Sequence, residues 1–446
     1  MRDGQGLEVA NASAETIAAI DLLREEWLAF GNRLPEAVAA ADREQGCALL
    51  PLMSANLLLT VNSPAALEIA TRQAAKGRKL AGSDRREQGW LAATEAAFAH
   101  DKRTAQKLLE DLLAEWPRDL VAAKVAQVHA IDRGDAEGIL RIGERIVPAN
   151  PDVRHVIAMR AFGLEECNRI DEAEAEARRA IEIDRRDPWA HHVVAHCLEA
   201  RGRMLEGVAF LRSMSDTWAP CNSFMYTHNW WHLALFLIDL DRTSEALALF
   251  DGHVWGVDKD FSEDQVNAVS LLARLELHGA EVGGRWVDVA AHLKPRLHEH
   301  FTPFLDLHYL YGLARGGEDN AVTEMLASLE DRAERATESE REAWADCAVP
   351  AGHGLAAHAK GDHAAAARYL GQALPHLAAI GGSIAQRALF GAIHLDAMMR
   401  SGWNDAALKV LQADDRERPT VPATKRALAA LLRRLGRSEQ AMAAEY

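Results

Sequence analysis

Two pairs of histidines have a spacing that suits ligand or metal binding. His192 and His196 lie four residues apart, and His228 and His232 repeat that spacing 36 residues later. In a helix, residues four apart share one face, with Cβ atoms about 5–6 Å apart. Imidazole donates and accepts hydrogen bonds, exchanges protons near neutral pH and ligates transition metals. We therefore expect each pair to direct two imidazoles towards the same region.

Glu199 adds a carboxylate to the face that carries the first pair, because it follows His196 by three residues. Two imidazoles and a carboxylate are ligands that zinc or iron uses. The zinc-protease pattern H-E-x-x-H is absent, since Val193, Val194 and Ala195 stand between the first two histidines. Three interpretations stay open. The histidines form a hydrogen-bonded structural cluster, a ligand or catalytic pocket without metal, or a site for a divalent transition metal held by all four.

Further polar residues are candidates for the same pocket, although each of them also fits a surface or capping role. They are Asn229, Asp251, His253, Asp306 and His308.

The segment GGSIAQR has the features of a helix start. Ser383 is a typical N-cap residue for a helix that runs through Gln386 and Arg387. Exposed N–H groups at a helix start, beside an arginine, suit a carboxylate or a phosphate. The alternative is a capped helix with Arg387 in a structural salt bridge. We keep these three residues as candidate ligand contacts.

The histidines must be positioned by helices, because the chain repeats an antiparallel two-helix unit. In its clearest copy, 153–187, small residues stand in the first helix and a polar turn at 168–170 precedes the second helix. A proline then opens the next helix, as two packed antiparallel helices require. Imperfect copies recur at 90–116, 231–250, 354–370, 394–411 and 427–442. This repetition predicts an all-α fold, an α-solenoid of tetratricopeptide-like helix-turn-helix repeats curved around a concave groove.

We expect residues 1–446 to form a single helical-repeat domain. Its N-terminal helices, to about residue 80, diverge from the pattern, 85–250 and 350–446 hold the clearest repeats, and 251–349 is irregular. The two histidine pairs are separated by about one repeat. They should therefore occupy equivalent faces of neighbouring first helices, which line the concave groove of such solenoids.

Composition limits the partners and the compartment. The formal net charge is -16, from 66 acidic and 50 basic residues. Because an acidic surface repels phosphate backbones and anionic lipids, we expect neither nucleic acid nor a membrane as a partner. The five cysteines lie far apart without a CxxC motif, which favours a reducing compartment. The N-terminal segment does not resemble a signal peptide, so we expect a cytoplasmic protein.

Several stretches resemble the tetratricopeptide repeat protein 38 family, and they follow one another in order over nearly the whole chain. They are RREQ (85–88), FGLEECN (162–168), WAHHVVAHCLE (189–199), HNWWHLAL (228–235), DGH (251–253), LARLELHG (272–279), GGRW (283–286), FLDLHYL (304–310) and GGSIAQR (381–387). The resemblance implies a helical-repeat fold and no settled activity.

Together, the repeats and the histidines predict a binding protein. Its histidine-rich pocket lies in the concave groove and holds a small molecule or a peptide. The alternative is an enzyme, metal-dependent and hydrolase-like, in which His192, His196, His228 and His232 are the catalytic groups. The sequence contains neither a GxSxG motif nor a phosphate-binding loop, so nothing indicates a serine nucleophile or nucleotide hydrolysis.

Overall fold

In the computed structural model, residues 1–444 are described. Over this range the chain forms 24 α-helices and no β-strand. The prediction of an all-α helical-repeat fold is therefore confirmed. None of the helices within these residues is long and apolar enough to cross a membrane.

The described residues separate into two compact units, residues 1–194 with 216–225 and residues 195–215 with 226–444. The expected single domain over 1–446 stays a prediction. The helices of the first unit are α1 (Ala14–Ala29), α2 (Leu34–Arg43), α3 (Leu49–Leu59), α4 (Pro64–Leu80), α5 (Arg85–Phe98), α6 (Lys102–Glu115), α7 (Leu120–Ile131), α8 (Ala136–Ile146), α9 (Arg154–Glu166) and α10 (Ile170–Ile183).

Two helices contribute residues to both units, α11 (Pro188–Ala200) and α13 (Ser223–Asp239). The other helices belong to the second unit. They are α12 (Met204–Met214), α14 (Thr243–Leu249), α15 (Ser262–Leu277), α16 (Arg285–Leu293), α17 (Pro303–Arg315), α18 (Asp319–Glu334), α19 (Val349–Ala359), α20 (His363–Ala373), α21 (Ile384–Ser401), α22 (Asn404–Glu417), α23 (Pro422–Arg434) and α24 (Ser438–Ala444).

Asp119 joins neighbouring repeats of the first unit from the N-cap position of α7. Its carboxylate accepts hydrogen bonds from Arg86 Nε at 2.9 Å, from Trp90 Nε1 at 3.0 Å and from the Ala122 backbone N–H at 3.2 Å. Arg86, Trp90 and Asp119 are all buried. A capped helix start and a buried ion pair thus share one carboxylate, which fixes α5 against α7.

Gly163 allows two helices of the first unit to approach closely. A Cβ atom built on this α9 residue would lie 2.5 Å from the Cα atom of Leu140 in α8 and 2.7 Å from its backbone nitrogen. A backbone cannot move aside as a flexible side chain can. The small residue in this helix is therefore a packing requirement.

Gly163→Ala is expected to destabilise the protein by about 1–3 kcal/mol, because the added methyl group overpacks the α8–α9 contact. The measurement is the thermal midpoint of unfolding followed by circular dichroism. Gly391→Ala is the control, since a Cβ at that α21 position meets no atom within 4 Å. It should raise stability by roughly 0.5–1 kcal/mol through helix propensity. Equal effects of the two substitutions would contradict the packing argument.

In the second unit, helices far apart in sequence pack against one another. Arg274 Nη2 on α15 donates a hydrogen bond to the carbonyl oxygen of Ala385 on α21 at 2.6 Å. Thr420 Oγ1, just before α23, donates to the carbonyl oxygen of Gly202, which follows α11, at 2.9 Å. Helices α13, α15 and α17 are buried along most of their length. Polar side chains on these helices therefore face the interior of the unit.

Candidate functional site

Three of the four predicted histidines lie together inside the second unit. The ring centroids of His196 and His232 are 4.8 Å apart, and those of His228 and His232 are also 4.8 Å apart. Each of the three side chains is at most 2% exposed. The pairing of His196 on α11 with His232 on α13 follows from the separation of one repeat between them.

Glu199 lies beside these imidazoles. Its Oε2 atom is 3.9 Å from His232 Nδ1, which is beyond hydrogen-bonding distance, and its side chain is 18% exposed. This oxygen has no hydrogen-bond partner within residues 1–444. Burial raises the pKa of Glu199 above its ordinary value. The carboxyl group consequently takes up a proton more readily than a surface glutamate does.

Two imidazoles of this site, those of His228 and His232, are held in the neutral form. Burial lowers the pKa of His228 to about 3 and that of His232 well below its ordinary value. His228 Nδ1 lies 2.9 Å from Asn267 Oδ1, an atom that only accepts, so Nδ1 carries the proton. Asn267 is held in turn by Thr227 at 3.1 Å. His228 therefore has Nε2 as its acceptor nitrogen.

Arg274 is the residue of this site that sequence reasoning missed. Its guanidinium carbon lies 5.6 Å from the ring centroid of Trp231, and the residue is 8% exposed. Burial lowers the pKa of Arg274 to about 10, and the negative charges of Glu199 and Asp239 oppose that shift. The sequence did contain a signal for a buried polar contact. Ser270 and Arg274 are four apart, and therefore on one face, in the helical stretch 268–275, whose other residues are apolar.

Each of four consecutive first helices carries at least one buried polar atom that has no hydrogen-bond partner among the described residues. Four such atoms, one from each helix, are Glu199 Oε2 on α11, Trp231 Nε1 on α13, Arg274 Nε on α15 and His308 Nε2 on α17. Glu199, Trp231, His232 and Arg274 are called the Arg274 cluster below. His308 borders it: burial lowers the pKa of His308 to about 4, and the nearby positive charge of Arg274 adds to that shift.

His192 and Asn229 are buried at their predicted helical positions. His192 lies in the part of α11 that belongs to the first unit, where its ring stacks on Trp189 with centroids 4.4 Å apart. Asn229 is fully buried on α13, next to His228.

Asp251 and His253 make contacts of their own near the surface of the second unit. Asp251 is exposed and pairs with Arg285 through two hydrogen bonds of 2.8 and 2.6 Å. His253 Nδ1 lies 2.7 Å from the Tyr226 hydroxyl, and its ring stacks on Trp230 with centroids 4.0 Å apart. These contacts account for both residues without the buried histidines.

Asp306 and His308 are both buried on α17 but have different partners. Asp306 Oδ2 lies 2.6 Å from His300 Nδ1, and burial raises the pKa of this carboxyl group. His308 Nδ1 donates to the carbonyl oxygen of Phe304 at 2.7 Å. Of the two, only His308 borders the Arg274 cluster.

The GGSIAQR segment forms a capped helix start. Ser383 and Gln386 form a reciprocal capping box, in which each side chain bonds the other residue's backbone N–H. The Arg387 guanidinium hydrogen-bonds the carbonyl oxygen of Gly382 within the same segment. Gly382 has a positive φ of 76°, and Phe304 packs against it so closely that a Cβ atom would lie 2.6 Å away. Ser383 and Gln386 thus cap the helix, and Arg387 contacts the backbone of its own segment.

Acidification is expected to destabilise the protein, because buried histidines resist protonation. Burial lowers the pKa of His129 to about 4, as it does for His191 and His308, and that of His228 to about 3. In an unfolded chain imidazole titrates near ~6.5. Each such residue therefore contributes stability above that pH, and the contribution is lost as the pH falls towards the folded pKa. It amounts to roughly 2 kcal/mol per histidine between pH 7 and 5.

The raised pKa values of Glu199, Asp239 and Asp306 act in the opposite direction, since protonation favours the folded form of these carboxyl groups. The buried histidines are more numerous, so the urea midpoint should be lower at pH 5 than at pH 7. An unchanged or higher midpoint at pH 5 would contradict the neutral state of the imidazoles.

No protein-family model matches the chain. Among solved structures, the chain is similar to the human IFIT1 dimer with PPP-AAAA, at 11% identity and a TM-score of 0.44, over 94% of this chain and 93% of that one. It is also similar to the APC/C hetero-tetramer Cut9–Hcn1, at 12% identity and a TM-score of 0.38, over 96% and 86% of the two chains. These neighbours are tetratricopeptide-like helical-repeat proteins, and the similarity concerns the fold.

The prediction that nucleic acid is not a partner is wrong. The finding that overturns it is that human IFIT1, to which the chain is similar, is described with the oligonucleotides PPP-AAAA and m7Gppp-AAAA. The physical error lies in the use of the net charge, which averages over a whole surface, whereas a ligand meets only one groove. In the first unit, a cavity of about 530 Å³ is lined by three arginines, Arg24, Arg118 and Arg154, together with Glu25 and Asp152.

Proposed function

We propose that this chain is a helical-repeat binding protein whose second unit holds a small ligand with an anionic group at the Arg274 cluster. The observation that carries the proposal is the buried Arg274 Nε, which lacks an acceptor among the described residues. Buried polar groups in folded proteins nearly always have a hydrogen-bond partner. A bound group that accepts from the Arg274 Nε–H would supply the missing partner.

The charges around Arg274 favour an anion. With a pKa of about 10, Arg274 is positively charged at neutral pH. The raised pKa of Glu199 weakens the negative charge available to balance it. The planar guanidinium donates in a fixed geometry that matches a carboxylate or a phosphate. An anionic ligand group would both neutralise the buried charge and accept its N–H.

The histidines suit recognition better than acid–base catalysis. A general base near neutral pH needs a pKa close to the working pH. The pKa of His228 is about 3 and that of His232 is also strongly lowered, so both imidazoles are weak bases. A neutral imidazole still offers one donor and one acceptor. We therefore propose that the three buried histidines orient the ligand.

We further propose that the chain is a member of the tetratricopeptide repeat protein 38 family. Support comes from two of the stretches that resemble the family, LARLELHG and GGSIAQR. Arg274 in the first stretch hydrogen-bonds the backbone of Ala385 in the second at 2.6 Å. The resemblance thus includes residues that meet next to the proposed ligand.

Binding of simple anions tests the proposal. The thermal midpoint of the full chain should rise with the concentration of acetate, succinate or inorganic phosphate, because a ligand that binds only the folded form stabilises it. The double variant His196→Gln, His232→Gln should remain helical but lose this rise. His129→Gln, a buried histidine of the first unit, is the matched control and should keep it. A response shared by all three proteins, or by none, would contradict a site at the Arg274 cluster.

A further inference from the structure

A second group of histidines lies elsewhere in the second unit, on three helices. His358 is near the end of α19, His363 begins α20 and Asp396 lies within α21. One ligand atom from each of these residues lies within 4.8 Å of the others. His358 Nε2 is 2.9 Å from Asp396 Oδ2, and the two imidazole centroids are 5.5 Å apart. Their separation is short enough for one ion to contact all three.

A hydrogen bond to Tyr311 fixes the orientation of the His358 ring. Its Nδ1 atom lies 3.1 Å from the hydroxyl of Tyr311 on α17, and the residue is 6% exposed. A hydroxyl both donates and accepts, so Tyr311 can serve either neutral tautomer of the ring. Metal-binding histidines usually hydrogen-bond an outer group through the nitrogen that does not contact the metal. Tyr311 occupies that outer position for His358.

His363 contributes a nitrogen that the protein leaves unused. Its Nδ1 is buried and has no hydrogen-bond partner within the described range, although the residue as a whole is partly exposed. The partial exposure of His363 gives an ion a route from solvent to this nitrogen.

We propose that His358, His363 and Asp396 bind a divalent transition ion, with Zn²⁺ as the preferred one. Two imidazoles and one carboxylate are ligands that Zn²⁺ takes in tetrahedral sites, and three protein ligands leave a fourth position for water. The site is independent of the anion site at the Arg274 cluster. Nε2 of His358 would contact the ion in the tautomer that carries its single proton on Nδ1, donated to the Tyr311 hydroxyl. The proton that Nε2 otherwise donates to Asp396 would be transferred to Nδ1, so the ring would stay neutral and no net proton would be lost.

Arg400 sets the affinity of this site. Its Nε lies 3.0 Å from Asp396 Oδ1 and 2.8 Å from Oδ2. It holds the carboxylate in place, but its positive charge opposes a second cation there. Arg400 is 58% exposed, so its replacement leaves no buried cavity. Removing this charge should strengthen the binding of Zn²⁺.

Calorimetric titration of the untagged full chain with zinc chloride, in a buffer that does not bind metal, tests the site. One ion should bind per chain, and His363→Ala should weaken its affinity by at least about tenfold, because a direct ligand is lost. His353→Ala is the matched control, since His353 lies on α19 and its imidazole pairs with Glu330 at 2.8 Å outside the cluster. That variant should bind as the wild type does.

Arg400→Gln tests for metal binding in a way that a purely structural role of the cluster would not affect. It also keeps the proposal testable if His363→Ala fails to fold. Zn²⁺ affinity should increase several-fold in this variant. Cobalt(II) added in place of zinc should give visible absorption bands that His363→Ala removes. The absence of one tight ion per chain, equal losses in His363→Ala and His353→Ala, or unchanged affinity in Arg400→Gln would overturn the proposal.

Discussion

Arg274→Ala should lower the free energy of unfolding by about 3–5 kcal/mol, the range for removing one partner from a buried charged group. The carbonyl oxygen of Ala385 loses its donor, and the buried carboxyl groups of Glu199 and Asp239 lose the positive charge beside them. The measurement is a urea titration followed by circular dichroism.

The matched control for this prediction is Arg315→Ala on α17. Arg315 pairs with Glu276 at 2.8 Å, but its side chain is 27% exposed, so water can replace much of the interaction. A loss of about 1 kcal/mol or less is expected there. If Arg274→Ala lowered the free energy of unfolding no more than Arg315→Ala does, the buried charge of Arg274 would not stabilise the second unit as proposed.

Asp119→Ala should destabilise the first unit by about 3–5 kcal/mol. The substitution leaves Arg86, a charged residue that is 2% exposed, without its closest carboxylate, and it also removes the acceptor of the Trp90 indole N–H. Thermal and urea unfolding measure the loss.

Asp101→Ala separates the capping role of Asp119 from its ion pair. Asp101 caps α6 through the Thr104 backbone N–H at 2.9 Å, at an exposed position. Its loss should therefore be that of a cap alone, about 1 kcal/mol. Adding Arg86→Leu to Asp119→Ala should recover part of the stability, because the unpaired buried guanidinium is then removed, while the Asp3 carboxylate beside it keeps two backbone N–H donors. Purely additive losses would contradict the coupling of these residues.

The fold was predictable because its signals are local and repeated. The glycine at 163, the polar turn at 168–170 and Pro188 mark helix contacts and ends within one repeat, and each repeat contacts mainly its neighbours. The spacing of 36 residues also predicted that His196 and His232 would meet. Their centroids lie 4.8 Å apart because one repeat separates α11 from α13.

The rest of both candidate sites depends on tertiary packing that no local pattern reveals. Arg274 meets Ala385 across 111 positions of sequence, through the packing of α15 against α21. Asp396 reaches His358 across 38 positions in the same way. A search for residues four apart on one helix finds neither contact. The prediction from net charge, that nucleic acid is not a partner, failed for a related reason. The net charge carries no information about which side chains line one groove.

The central claim is that the second unit holds a ligand against Arg274, and native mass spectrometry tests it most directly. The untagged full chain, purified without denaturation, should show a population heavier than its 48.9 kDa polypeptide by the mass of one small anionic molecule. Arg274→Gln, which keeps a side chain of similar length without the charge, should show the polypeptide mass alone. If the wild type shows only the polypeptide mass, or if both proteins carry the same extra mass, the account is contradicted.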